Sequence, residues 1–304
     1  MASPSSAPRV LVTGAGGFTG RHLCAHLREH GHRVFGLTEH ALTEADQIRA
    51  DLLDAGAIKE ALNAAAPDCV VHLAAIAFPG HAQADAIYRV NLGGTLVLLQ
   101  ALADLGFGRE GILLPSTGTV YANADAHALS EDAPLAPASH YAVSKLAMEN
   151  MAKLFAGVLP LVVVRPFNYT GPGQVEPYLV PKIVRHFAER APVIELGNVD
   201  VERDFLDVRT VVDAYRRLLA VPAARGQTLN LCSGTCTTVR ALVEELSRIT
   251  GHAIEIRVNP KFVRAGEPRR IVGSSARLRG LIGDLRPIAI ETTLTDMLAA
   301  AARA

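Results

Sequence analysis

The stretch RVLVTGAGGFTGRHL, Arg9 to Leu23, joins a β-branched apolar run to an amphipathic run through glycines at 14, 17 and 20. Glycines at this spacing let the chain turn tightly out of a strand and bring backbone N–H groups against a pyrophosphate, whose charge the following helix N-terminus stabilises. The flanking pattern supplies the required context: a strand before, a helix after, and a second apolar strand ending near Leu37.

The same rhythm continues. Strands are predicted at RVLVT, RVFGL, CVVHLAA, GILLPST and PLVVVRP, with helices at about Thr19–His30, Ala55–Ala66, Asp85–Leu105 and Tyr141–Ala156 between them. Alternating β and α of this kind predicts an α/β doubly wound parallel sheet over residues 8–166. After Pro166 the rhythm breaks into a Gly/Pro loop (NYTGPGQ), a helix (VPKIVRHFAER), a short strand (VIELG) and a further helix (VRTVVDAYRRLLA). QTLNLCSG is apolar enough to rejoin the main sheet, so about 208–236 is assigned to it. Residues 167–207 and 237–304 are left as a smaller C-terminal substrate-binding α/β lobe, and residues 1–7 read as a lead-in.

Composition removes several classes of function. Lys plus Arg equals Asp plus Glu at 30 each, which gives no support to a nucleic-acid partner. Cys24, Cys69, Cys232 and Cys236 sit in apolar patterns without CxxC spacing, which favours buried thiols over disulfides and predicts no metal site. No run of 18 apolar residues occurs and MASPSSAPR lacks the apolar stretch of a signal peptide, so the expectation is a cytoplasmic chain with no membrane partner.

The end of the second strand normally separates NAD from NADP, because a carboxylate there bonds the ribose 2′-hydroxyl and repels a 2′-phosphate. This chain has Thr38 and then Glu39, one place late, with no arginine beside it in sequence, so NADP(H) or NAD(H) stays open with a lean to NADP(H). Asp51 and Leu52 stand where a contact to the adenine edge would fall.

HYAVSKLAMEN places Tyr141 and Lys145 four residues apart in a chain with five lysines. On a helix these share a face, so the ammonium is expected to lower the Tyr141 pKa and suit it to proton transfer. Ser116 and Thr117 end the preceding strand at the carboxyl edge of the sheet, where a hydroxyl can bond the same substrate oxygen.

TGAGGFTG, HLAA (72–75), VNLGGT (90–95), STGTVY and YAVSK follow the order and spacing of the extended short-chain dehydrogenase/reductases, and the chain resembles that family over nearly its whole length. The resemblance implies a Rossmann domain and a catalytic set of Thr117, Tyr141 and Lys145. It implies cofactor contacts from Gly14, Gly17, Phe18, Thr19, Gly20, Thr38, Asp51, Leu52, Ala74, Ala75, Tyr141 and Lys145, and makes Asn91 a structural residue near the site. Homodimerisation through the helices at 85–105 and 141–156 is also implied.

The members of this family act on nucleotide-linked sugars. RPFNYTGPGQ resembles the segment in which Asn168 contacts the substrate diphosphate, ERDFLDVR the one in which Arg203 reaches a phosphate, and RAGEPRR the one in which Arg264 and Glu267 grip phosphate and ribose; Ser116 and Thr117 complete the substrate contacts. The wording is most similar to the GDP-4-keto-6-deoxy-D-mannose reductases, implying reduction of a C4 ketone to give GDP-D-rhamnose. A nucleotide-sugar 4-epimerase with tightly bound NAD and a non-catalytic NAD(P)-binding sensor are the alternatives. Dehydratases of the family carry an Asp–Glu or Ser–Glu pair just after the catalytic threonine, whereas this chain has Gly118–Thr119, which disfavours dehydration.

Overall fold

The structure is a computed structural model describing residues 7–39, 42, 44–77, 83–122, 127–263 and 268–302. β1 (Arg9–Thr13), α1 (Phe18–Glu29), β2 (Arg33–Thr38), β3 (Gln47–Arg49), α2 (Ala55–Ala65) and β4 (Cys69–His72) open the chain. They are followed by α3 (Ala84–Tyr88), α4 (Thr95–Leu105), β5 (Gly111–Pro115), α5 (His140–Ala152), β6 (Leu161–Pro166), β7 (Asn168–Thr170), α6 (Leu179–Ala188), β8 (Val193–Leu196), β9 (Glu202–Arg203) and β10 (Phe205–Asp207). The remainder comprises α7 (Val208–Leu219), β11 (Thr228–Leu231), β12 (Thr237–Thr238), α8 (Val239–Thr250), β13 (Glu255–Val258), β14 (Arg270–Ile271), α9 (Ala276–Ile282) and α10 (Ile290–Ala301).

Seven parallel strands form a Rossmann-like sheet in the order β11-β6-β5-β4-β1-β2-β3. Alternation within each strand sends side chains to two separate cores. Val10, Val12, Val71, Leu113, Val162 and Val164 pack beneath α1 and α7. Leu11, Val70, Ile112, Leu114 and Leu161 pack beneath α2, α4 and α5. Burial on both faces explains why these strands read as continuous apolar runs. The strand order reverses between β1 and β4, and such a switch point opens a crevice at the carboxyl ends of the strands.

Local signals set the helix limits. The Asp54 carboxylate caps α2 by accepting from Gly56 and Ala57 N–H at 2.9 and 3.0 Å, and Ser139 caps α5 through Ala142 N–H at 3.2 Å. The helix predicted over Asp85–Leu105 is interrupted, since Arg89–Gly94 forms a π-helical stretch between α3 and α4. The Thr95 hydroxyl donates to the Asn91 carbonyl at 2.7 Å, giving that carbonyl a side-chain partner across the widened turn. The run Ala84–Leu105 is long and apolar enough, by length and composition, to cross a membrane. Its Leu98, Leu99 and Leu102 are fully buried in this chain's own core.

The second lobe has its own core, in which Val180, Ile183, Val184 and Phe187 of α6 meet Leu242, Val243 and Leu246 of α8 and Leu294 and Met297 of α10. Small sheets frame it: β7 with β10, β8 with β13, and β12-β9-β14. Asp204 fastens this frame to the chain leaving β11. Its buried carboxylate accepts from Ser233 N–H and Oγ–H at 2.8 and 2.7 Å and from Gly234 N–H at 2.9 Å.

Candidate active site

The crevice begins at the β1–α1 turn. Gly14 has φ +67°, and a Cβ there would stand 2.8 Å from the Ala74 backbone nitrogen. No side chain fits between the two strand ends. Gly17 precedes α1 and supplies no side-chain cap, so the first-turn N–H groups remain donors for an anion. These features fit a dinucleotide pyrophosphate. Around the turn stand Phe18, Thr19 and Gly20 in α1, Thr38 at the end of β2, Asp51 and Leu52 after β3, and Ala74 and Ala75 after β4. Asp51 is exposed, with Oδ1 accepting from Leu53 N–H at 2.9 Å, while Leu52 is buried.

A buried polar chain links this turn to α5. Ala74 N–H donates to Thr13 Oγ1 at 3.1 Å, and Thr13 Oγ1 lies 2.7 Å from His72 Nδ1. His72 Nε2 is 2.9 Å from Thr95 Oγ1. Because the Thr95 hydroxyl donates onward to Asn91 O, the imidazole is assigned as the Nε2–H tautomer, accepting at Nδ1. Burial, and then the Lys145 charge, pushes the His72 pKa down to about 3, so the ring is neutral. Asn91 donates to Ser144 Oγ at 3.0 Å, and Ser144 Oγ–H donates to the Tyr141 carbonyl at 2.8 Å. The π-helical stretch therefore carries the residue that holds the first turn of α5.

Thr117 lies just past β5 and its hydroxyl bonds the Tyr141 phenol. Thr117 Oγ1 also accepts from Thr119 N–H at 3.1 Å and lies 3.0 Å from the Thr119 hydroxyl. Lys145, 4% exposed, donates from Nζ to the Pro115 carbonyl at 2.8 Å. Burial lowers its pKa to about 8 against the opposing pull of Glu149. Tyr141 departs from the sequence expectation. Burial, then the Tyr169 and Tyr178 rings, raises the phenol above its ordinary value despite the Thr117 bond. The lysine head is drawn to Pro115, and loss of hydration dominates. The phenol is held protonated, as a proton donor requires.

Ser116 Oγ is buried without a hydrogen-bond partner among the described residues. Asn168, half-buried in β7, donates to the Asp204 carbonyl at 3.3 Å. Arg203, half-buried in β9, donates to the Glu202 and Pro268 carbonyls, each at 2.9 Å. Arg264 and Glu267 lie outside the described residues.

Several neighbours escaped the sequence reading. Tyr169 OH is 2.9 Å from Thr19 Oγ1, and its ring stacks with Phe18 at 6.3 Å between centroids. Arg21 donates to the Gly16 carbonyl at 2.6 Å and the Gly173 carbonyl at 3.3 Å, and His22 Nε2 bonds the Pro172 carbonyl at 2.8 Å. Together they tie the glycine turn to the Gly171–Gln174 loop of the second lobe. Only position beside Asn168 could have pointed to Tyr169; the others are brought in by folding. Gly118 is explained by Phe167, whose ring carbon would lie 2.9 Å from a Cβ at position 118.

Away from this crevice, His26, Glu29 and His30 bring three donor atoms within 4.8 Å of one another at the far end of α1. Arg216 Nε and Asp213 Oδ1 each lie 3.3 Å from His26 Nε2, and the adjoining cavity is lined by Arg216, Arg217 and Arg286 against the single carboxylate of Asp213, a balance that opposes a cation.

Comparison with known proteins agrees with this geometry. Residues 10–232 match the NAD dependent epimerase/dehydratase family. A GDP-6-deoxy-D-mannose reductase of Pseudomonas aeruginosa is 38% identical over 302 residues, covering 95% of this chain and 96% of its own. A GDP-6-deoxy-D-talose 4-dehydrogenase of Aggregatibacter actinomycetemcomitans is 34% identical over 291 residues, again covering 95% and 96%. The structure of RMD from Pseudomonas aeruginosa complexed with NADPH superposes with a TM-score of 0.87 at 34% identity, covering 98% of this chain and 99% of that one. With the glycine turn, the tyrosine–lysine helix and the seven-stranded sheet all in place, the chain belongs to the NAD dependent epimerase/dehydratase family and is an NAD(P)-dependent oxidoreductase.

Proposed function

We propose that the protein reduces the C4 ketone of a nucleotide-linked 4-keto-6-deoxyhexose, with GDP-4-keto-6-deoxy-D-mannose as substrate and GDP-D-rhamnose as product. The observation that carries the reading is the Tyr141 phenol, hydrogen-bonded to Thr117 just past β5, with its pKa raised by burial. The nicotinamide cofactor supplies hydride when bound. Tyr141 delivers its proton to the oxygen forming at C4, and Thr117 holds that oxygen by a second hydrogen bond. Lys145, fixed by Pro115, bonds the nicotinamide ribose. Asn168 and Arg203 at the second lobe, with Arg264 and Glu267, are assigned to the diphosphate and ribose of the substrate.

Two features favour this chemistry over its alternatives. Gly118 is closed to any side chain by Phe167, and the exposed Thr119 supplies a hydroxyl already near Thr117, so neither position provides the carboxyl group that removal of water from C5 and C6 requires. The GDP-6-deoxy-D-mannose reductase relative, 38% identical over 95% of this chain, supports a GDP-linked 6-deoxyhexose as the sugar reduced.

The test is a panel of GDP-, dTDP- and UDP-linked 4-keto-6-deoxyhexoses mixed with NADPH or NADH while cofactor absorbance is followed. The GDP sugar is expected to turn over fastest, with one cofactor oxidised per sugar reduced. Purified protein that retains NAD and interconverts hexose epimers without net cofactor use would instead be a 4-epimerase.

A further inference from the structure

The sequence places no arginine beside Thr38, but the fold does. β3 pairs with β2 in parallel register, Gly36 opposite Gln47 and Thr38 opposite Arg49. Ile48 packs into the core beneath α2. Gln47 lies on the opposite side, its Cγ 3.3 Å from where a Gly36 Cβ would be, beside Ala15. Arg49, two residues on, rises from that same side. This is the side of the glycine turn: Thr38 Oγ1 is 3.7 Å from where a Gly16 Cβ would stand.

Arg49 Nε donates to the Glu39 carbonyl at 3.2 Å, which holds the guanidinium at the carboxyl end of β2. That is the one hydrogen bond the Arg49 side chain makes among the described residues, and the side chain is exposed. Its two terminal nitrogens keep the paired donors that match a phosphate. Arg21, the other guanidinium near Gly16, already donates to the Gly16 and Gly173 carbonyls.

We infer that Arg49 binds the 2′-phosphate of the adenosine ribose and makes NADP(H), rather than NAD(H), the cofactor of this enzyme. The inference rests on the glycine turn being a dinucleotide site. Glu39 is the opposing group, because a carboxylate at the ribose favours a free 2′-hydroxyl. Arg49 counters it by taking the Glu39 carbonyl and presenting positive charge at the same strand end.

The experiment is calorimetric titration of wild-type and Arg49→Gln protein with NADPH, NADH, adenosine 2′,5′-bisphosphate and 5′-AMP, with circular dichroism to check folding. Wild type is expected to bind NADPH and the bisphosphate roughly 10- to 100-fold more tightly than NADH and AMP. Arg49→Gln should lose that margin while its NADH affinity stays within about twofold. Equal binding of NADPH and NADH by wild type, or equal weakening of both in folded Arg49→Gln, overturns the assignment. Binding of no dinucleotide at all would defeat the reading of the glycine turn and the inference with it.

Discussion

Glu149 stands one helical turn beyond Lys145 on α5 and pairs with Arg165 of β6 at 2.6 Å, both side chains nearly excluded from solvent. Arg165 also donates to Tyr121 OH at 2.8 Å, and Tyr121 donates to Asn230 Oδ1 at 2.6 Å, so β6, β11, α5 and the segment following β5 meet in one buried polar network behind the helix that carries Tyr141 and Lys145. Removing the carboxylate leaves the guanidinium buried without its counter-charge. Glu149→Gln is expected to cost about 3–5 kcal/mol of stability, measured by urea denaturation. A loss below about 1 kcal/mol, the range of an exposed pair, would mean that the pair does not hold α5 in place.

The depressed Lys145 pKa sets an alkaline limit on activity. Reduction needs a protonated phenol and a charged lysine. The phenol is raised above its ordinary value and keeps its proton, whereas Lys145 loses its proton as pH rises through about 8. kcat/KM for the reduced cofactor, which reports the free enzyme, should therefore be level below that pH and fall about tenfold per unit above it. Lys145→Arg, whose charge does not titrate in this range, should lose this limb. An unchanged limb in Lys145→Arg would assign it to another group.

Phe167 closes position 118 to a side chain. A Cβ at 118 would stand 2.9 Å from the Phe167 ring, and Phe167 is itself confined against Tyr121 in a small core cluster. Gly118→Ala is expected to destabilise the protein by about 1–3 kcal/mol, and Phe167→Leu should restore part of the loss in the double variant. Additive losses would show that the two positions do not press on one another.

The long-range architecture was legible because both faces of the sheet are buried, which turns strands such as VLV and ILL into unbroken apolar runs between amphipathic helices. The glycine turn and the tyrosine–lysine pair were legible because each lies within one turn or one helix. Strands of two or three residues, including β3, β7 and β9, carry no period to detect, so Arg49 opposite Thr38 could be found only from strand register. The π-helical stretch at Arg89–Gly94 has no periodic signature of its own, and the Thr95 hydroxyl that bonds back to Asn91 within it is found only in the structure. The shift of Tyr141 was misjudged because sequence spacing gives the proximity of Lys145 but not the depth of burial.

One apolar face has no cover among the described residues. Leu96 of α4 and Val143 of α5 are exposed, and Leu154, about three turns along from Val143 past Ala147, is 83% exposed. The prediction is a homodimer joined through α4 and α5. Sedimentation at micromolar concentration should give twice the 32.3 kDa chain mass, and Leu154→Asp should shift it toward the monomer. A wild-type monomer at that concentration would contradict the arrangement.

The central claim is hydride delivery to C4 with a proton from Tyr141, and the most direct measurement follows a deuterium label from the reduced cofactor. GDP-4-keto-6-deoxy-D-mannose is incubated with NADPH deuterated at the transferred position, and the sugar product is read by NMR. The account predicts one deuterium at C4 for each NADPH oxidised, GDP-D-rhamnose as product, and a rate reduced roughly a hundredfold or more in Tyr141→Phe. Deuterium that never reaches C4, or undiminished transfer in Tyr141→Phe, would contradict it.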